Sequence, residues 1–384
     1  MTFATGLSLA EILSGLPVSG GPFFWTALLG GRHSAVLSWI TGWCNLIGLT
    51  ALTASSALAT MYNVAAAVQI TTGVILSAWQ QLLILQGVLV LSGTVNSSSP
   101  TLLTRCMFYG TFINVAGIIF VVLLLPTVGP WHQSLKFVYG TFFDKSVSPF
   151  NVPSNAYLWI QGTSMALFSL AGFDSCSHLS EEMKGANSAA PRAMVWSIIA
   201  SSAIGGVLLF AVLICIQDSD ALFYSSATNG YALGQMFFDV FHARFGSGVW
   251  SVPVLVICTI TGIMTTIACV TCASRMMFSF ARSKALPFSQ LTISRHTFEP
   301  GPIHLGKWSC TIGWISFAWT VFTIVLLSLP LTMPVTIQEV QLPLFAGLGG
   351  SLIAWYLPKY GARHVFIDPK QQAASAVKTP FLNH

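Results

Sequence analysis

The stretch Ser169-Leu-Ala-Gly-Phe-Asp-Ser-Cys-Ser-His-Leu-Ser-Glu-Glu182 carries the densest chemistry in this sequence. It sets Gly172, Asp174, His178, Glu181 and Glu182 at the end of an apolar run. Ionisable groups at membrane depth are costly and usually serve a function or pair internally. A glycine among small polar neighbours lets a helix unwind. An unwound helix frees N–H groups that hold a carboxylate and carbonyls that hold a cation. On this reading Gly172 is the unwound point, flanked by Ala171, Phe173 and Asp174, with Ser169 close by. The exposed main chain would hold the amine or carboxylate of a small zwitterion or cation, with Phe173 as an aromatic lid. A cation over such a ring gains roughly 0.5–2 kcal/mol. The other reading is ordinary helix packing at Gly172, with Asp174 and the glutamates ending a helix near the headgroups.

Other positions allow two readings each. Asn45, beside Trp43 in a charge-free run, either bonds across helices or faces a site. Thr265 and Thr266 could coordinate a cation or bond their own helix carbonyls. Glu181, Glu182 and Arg275 are either a gate that opens and closes access or solvated loop charges. Cys269 and Cys272 form a C-x-x-C without a nearby His or carboxylate, so no metal centre is expected. The sequence has no Ser/His/Asp constellation, P-loop or paired catalytic carboxylates, and its eight histidines lack ligand spacing. Neither an enzyme nor a cofactor is expected.

The elements that must position these residues are membrane helices. Hydrophobic residues make up 54% of the 384 positions and charged residues 7%, against roughly 25% charged in soluble domains. Mean hydropathy is +0.74. No Asp, Glu, Lys or Arg occurs in the 72 residues from His33 to Thr104. A lipid-spanning helix needs about 20 such residues, because its backbone must satisfy itself internally. The pattern predicts nine spans, at about 7–29, 36–60, 74–95, 106–127, 156–179, 193–216, 249–274, 309–329 and 340–358. Residues 1–358 then form one transmembrane domain and 359–384 a tail.

Alternate connections divide the basic residues unevenly. Thirteen Lys and Arg, including Arg32, Arg105, Lys184, Arg275, Arg282 and Lys359, fall on one side, and only Lys136, Lys145 and Arg244 on the other. The positive-inside rule makes the first side, with the C-terminus, cytoplasmic and puts residue 1 outside. The net charge of +5 is read as a topology signal rather than a nucleic-acid footprint. Trp25, Trp39, Trp131, Trp250, Trp308 and Trp355 stand at span ends and are expected in interfacial belts.

Ala171–Pro191 (AGFDSCSHLSEEMKGANSAAP) resembles the sixth-helix signature of the amino acid–choline transporter family, within the amino acid–polyamine–organocation superfamily. Ala10–Trp25, Ser38–Asn45, Cys215–Asp218, Cys272–Ser289, Pro300–Ser309 and Leu329–Thr336 resemble further blocks of that family in the same order. The resemblance implies an all-α, five-plus-five inverted-repeat transporter. It implies a permease for amino acids or related amines such as GABA or choline, working by alternating access with a coupling proton. The plasma membrane is the implied location, with the vacuole open. Against that pattern the first helix and the ninth–tenth pair are missing, and the truncation agrees with the charge count. Ala171 and Phe173 replace an expected Thr and Tyr, and Ser283-Lys284 an expected Asp-Gly. A shortened relative that no longer transports, acting as a sensor or assembly partner or arising from an incomplete gene product, is the competing expectation.

Overall fold

The computed structural model describes residues 2–140, 168–217, 228, 231–285, 355–356 and 366. The described residues are mostly helical and contain no strand. Ten α-helices run in order: α1 Thr2–Gly15, α2 Pro22–Leu29, α3 Ser34–Thr72, α4 Ala78–Ser97, α5 Pro100–Val128, α6 Leu135–Gly140, α7 Ser175–His178, α8 Ala186–Ile214, α9 Ala232–Phe245 and α10 Val252–Arg282. Five are long and apolar enough to cross a bilayer: α3, α4, α5, α8 and α10, with α3 and α10 each extended at the start by a short 3-10 turn. The span expected at 309–329, that at 340–358 apart from the helical residues 355–356, and the first part of that at 156–179 lie outside the described residues.

Local chemistry sets the helix ends. Gly73 takes a left-handed φ of 70° after the 39 residues of α3. Ser77 and Gln80 form a reciprocal capping box on α4. Ser99 accepts from the Leu102 N–H, and Pro100 occupies the tolerated first position of α5.

The single span expected at 7–29 is two helices. Between α1 and α2 the chain leaves the helix at Leu16–Gly21. Pro17 cannot donate to a helical ladder, and Gly21 turns the chain at φ 50°. The indole N–H of Trp25 donates to the Leu16 carbonyl at 3.0 Å, covering one group that the break sets free.

The chain packs as two compact units. The first comprises Met1–Ala4, Ser56–Phe173 and Val195–Ala268. The second comprises Thr5–Ser55, Asp174–Met194 and Cys269–His384. Helices α1, α3, α8 and α10 contribute a segment to each.

In the first unit the core forms around α9, a helix too short to span and not foreseen in the sequence. Its Met236, Phe237, Val240 and Phe241 pack with Ala66 of α3, Leu125 of α5 and Leu255 of α10. Gly234 lets Ala66 approach closely: a Cβ there would stand 3.0 Å from the Ala66 methyl. Tyr231 stacks on Tyr62 at 5.7 Å and donates its hydroxyl to Asn63 Oδ1 at 3.0 Å. Burial pushes the Tyr231 phenol up to about 12, so it remains a donor at physiological pH.

In the second unit Phe280 of α10 is the hub of an aromatic core. It meets Phe23 of α2 at 5.3 Å and Trp43 of α3 at 5.6 Å, both edge-on, and Trp39 at 6.0 Å. Trp39 also touches Trp355 and Phe366. Trp25, Trp39 and Trp355 are therefore core residues, at 2%, 3% and 5% exposure, and do not form the expected belt. Trp39 and Trp355 find aromatic partners inside the protein and Trp25 a backbone carbonyl, which span-end position alone does not reveal. Trp131 and Trp250 are exposed, at 75% and 63%. Trp308 lies outside the described residues.

Gly42 is where α3 admits the Phe280 ring, which a Cβ at that position would strike. Gly48, on the same helix, faces open space. Gly42→Val is expected to lower the melting stability of the detergent-solubilised protein by about 1–3 kcal/mol, the usual range for overpacking. Gly48→Val is the matched control, with little change. Equal melting of the two variants would remove Phe280 from the centre of this core.

Candidate functional site

The Gly172 region is a break in helical structure. Phe168 and Ser169 are helical, Leu170–Asp174 form turns, and helix resumes at Ser175. Gly172 adopts φ 89°, which side-chain-bearing residues rarely adopt. The Ala171 N–H donates to the Phe168 carbonyl at 3.1 Å, closing a turn where the regular i to i−4 ladder stops. Ser169 and Ala171 are exposed, while Gly172, Phe173 and Asp174 are partly buried. After α7, a 3-10 turn at Ser180–Glu182 and Gly185 at φ 66° lead into α8.

The sequence candidates divide between the two units. Ser169, Ala171, Gly172 and Phe173 belong to the first, and Asn45, Asp174, Glu181, Glu182 and Arg275 to the second. Asn45 bonds across helices, its amide 3.8 Å from Met276 Sδ on α10. The hydroxyls of Thr265 and Thr266 donate to the carbonyls of Thr261 and Gly262 in their own helix. That leaves neither hydroxyl proton free for another acceptor. Cys272 packs in the aromatic core.

Within the second unit the acidic end of the motif grips two other elements. Glu182 makes a two-pronged bond with Arg275 of α10, at 2.7 Å from Nε and 3.0 Å from the terminal nitrogen. Glu181 Oε1 accepts from both the backbone N–H and the hydroxyl of Ser19, at 3.0 and 2.8 Å. Its other oxygen lies 3.8 Å from Arg282. The clamp therefore ties the Leu16–Gly21 break to the Ser180–Glu182 turn and to α10. Gly21 permits the close fit, since a Cβ there would stand 2.6 Å from Ser177 Oγ.

Sequence reasoning named Glu181 without its partner Ser19, and did not assign a role to His178. His178 is buried, with Nδ1 3.0 Å from the Ser19 carbonyl and Nε2 3.8 Å from Asp174 Oδ2. The four-residue spacing of Asp174 and His178 was a usable signal. The Ser19 contacts, 162 and 159 positions away in sequence, left none.

Residues 1–300 match the family described as amino acid permease. The chain is 27% identical over 438 aligned positions to the amino-acid permease BAT1 of Arabidopsis thaliana, covering 96% of this chain and 84% of that protein. It is similarly 27% identical to the BAT1 homolog of Oryza sativa, over 96% and 83% of the two chains. It is 23% identical to the GABA-specific permease of Saccharomyces cerevisiae, over 85% of this chain and 67% of the relative.

The Glu182–Arg275 pair is partly solvated, its side chains 58% and 22% exposed. Screening and side-chain entropy hold such a pair to about 1 kcal/mol or less. A double-mutant cycle of Glu182→Gln and Arg275→Gln, read from melts in low and high salt, is expected to give a coupling in that range that shrinks with salt. A coupling several times larger and indifferent to salt would show a desolvated pair instead.

Proposed function

The chain belongs to the amino acid permease family, and on that premise we propose that it is a secondary active permease working by alternating access. Membership makes it a multi-pass membrane transporter rather than an enzyme. The proposed substrates are amino acids or related amines such as GABA or choline, and the proposed coupling ion is a proton. The observation that carries the reading is the interruption of helix at Leu170–Asp174 around Gly172. Main-chain polar groups released from a ladder inside a membrane protein persist only where protein or a water-lined cavity surrounds them. Such places recognise the charged ends of small zwitterions. Gly172, Ala171, Phe173, Asp174 and Ser169 are the proposed contacts, with Asn45 as a supporting polar group. Glu181, Glu182 and Arg275 form the proposed gate, on the cytoplasmic face assigned by the basic connections. Their clamp on Ser19 supports this, because releasing it would free one helix break from the turn that follows the other. The proposed site of action is the plasma membrane, with the C-terminus cytoplasmic.

One observation favours the competing reading of a non-transporting relative. The alignment with the Arabidopsis permease has 438 positions against 384 residues here, so at least 54 positions of the relative lack a counterpart (438 less 384). That is room for about two spans of 20 residues with a connection.

The test is uptake of radiolabelled GABA, choline and a panel of amino acids in a yeast strain lacking its own permeases, with surface abundance measured. Saturable uptake by the 384-residue chain is expected, with loss of at least about tenfold in Gly172→Leu at equal abundance, the usual reach of one lost binding determinant. Well-inserted protein without uptake would reject transport and leave the shortened, regulatory relative.

A further inference from the structure

His178 is enclosed in the second unit with 1% of its surface exposed. Its Nδ1 lies 3.0 Å from the Ser19 carbonyl oxygen. A carbonyl oxygen can only accept, so Nδ1 carries the hydrogen of this bond. In a neutral ring that fixes Nε2 as a bare lone pair. Nε2 is buried and, among the described residues, makes no hydrogen bond. It faces Asp174 Oδ2 at 3.8 Å, and an ionised carboxylate oxygen is also an acceptor. Two acceptors thus stand opposite each other with no donor between them. A buried polar atom left unsatisfied in this way is costly, and native proteins seldom keep one without a use. One proton on Nε2 removes the conflict: both ring nitrogens become donors, and the imidazolium faces the carboxylate.

We infer that His178 and Asp174 form a proton-binding site whose occupant is the proton coupled to transport. The inference deepens, and rests on, the proposed permease reading. Imidazole is the side chain that ordinarily gains and loses a proton within the physiological range. Among the described residues, no other group makes a hydrogen bond to Nε2. From the Leu16–Gly21 segment comes the Ser19 carbonyl, already used at Nδ1. Glu181, from the following turn, grips the same Ser19, and Arg282 is 3.8 Å from that glutamate. From α10, Cys272 bonds Ser175 and lies beside Asp174, while Arg275 is bound to Glu182. Access runs through the carboxylate, because the Asp174 side chain is 24% exposed and that of His178 is closed. A hydronium ion protonates the carboxylate and leaves as water; the carboxyl O–H then breaks as the Nε2–H bond forms, restoring the carboxylate charge beside a cationic ring. Release reverses the transfer. Asp174 closes the turn around Gly172, and Ser19 lies in the other helix break. The pair therefore links Asp174, which ends one break, to the Ser19 carbonyl in the other.

The direct test uses the full chain, labelled with [15N]histidine and held in lipid nanodiscs, followed by NMR over about pH 5–8, where imidazole titrates. The His178 ring is identified by its loss in His178→Asn, whose amide can still donate to Ser19. If that variant does not fold, the one histidine that shifts in Asp174→Asn identifies it. At high pH the ring is expected as the neutral form protonated at Nδ1. As pH falls Nε2 gains a proton, and Asp174→Asn, which removes the facing carboxylate, changes that step. A ring that stays neutral throughout, or one whose titration ignores Asp174→Asn, overturns the inference. In proteoliposomes, whatever uptake His178→Asn retains is expected to lose its response to an imposed pH gradient. Wild-type protein that titrates as described but carries no substrate would reject the permease reading and leave the proton site standing. Active transport with an untitrated ring would reject the proton site alone.

Discussion

Glu181 accepts two hydrogen bonds from Ser19, and much of the second unit follows from what that contact makes possible. In a bilayer a chain can leave the helix only where other groups replace the lost backbone partners. The Leu16–Gly21 segment is such a departure, and its replacements are identifiable. Glu181 takes the Ser19 N–H, His178 takes the Ser19 carbonyl, and Trp25 takes the Leu16 carbonyl. Two of those three come from the motif that follows the other break at Leu170–Asp174. The irregular backbone of the Leu16–Gly21 segment is thus supported by side chains that follow the other break.

Packing makes that support rigid. Phe280 fills the space over Gly42 and meets Phe23 and Trp43 edge-on and Trp39 at a tilt, fixing α2 and α3 against α10. Arg275, little more than a helical turn before Phe280, then stands where Glu182 can bind it with both oxygens. Apolar shape sets the distance between these helices, and the ion pair operates within it. This division suits a membrane protein, where burial away from water drives helix association less than close fit does.

Much of this could be read from the residues. Charge-free runs marked α3, α4, α5, α8 and α10, because lipid admits few ionised side chains along a span. Gly172 stood out through its small polar neighbours, and Pro17 with Gly20-Gly21 could have revealed the first break had the apolar run not been read as continuous. Helix α9 escaped because a 14-residue amphipathic segment does not register in a search for spans, although Leu233, Met236, Phe237, Val240 and Phe241 recur at helical spacing. The buried tryptophans escaped because a ring at a span end looks the same whether it meets headgroups or Phe280. Contacts such as Ser19 with Glu181 join distant parts of the chain, and a single sequence contains no measure of that proximity.

The hydroxyls of α10 have a mechanical consequence. Thr259, Thr261, Thr265 and Thr266 all bond carbonyls of their own helix. Their donors are used up internally, so this stretch offers neighbours a surface of methyl groups and closed polar atoms. At Gly262 it lies against Thr60 of α3, whose hydroxyl is likewise turned back on Ser56. Two such surfaces meet without directional bonds between these hydroxyls. Thr60 seats where α10 carries no Cβ, since a side chain at Gly262 would strike it, so this part of the interface is keyed by shape rather than by bonds between these hydroxyls.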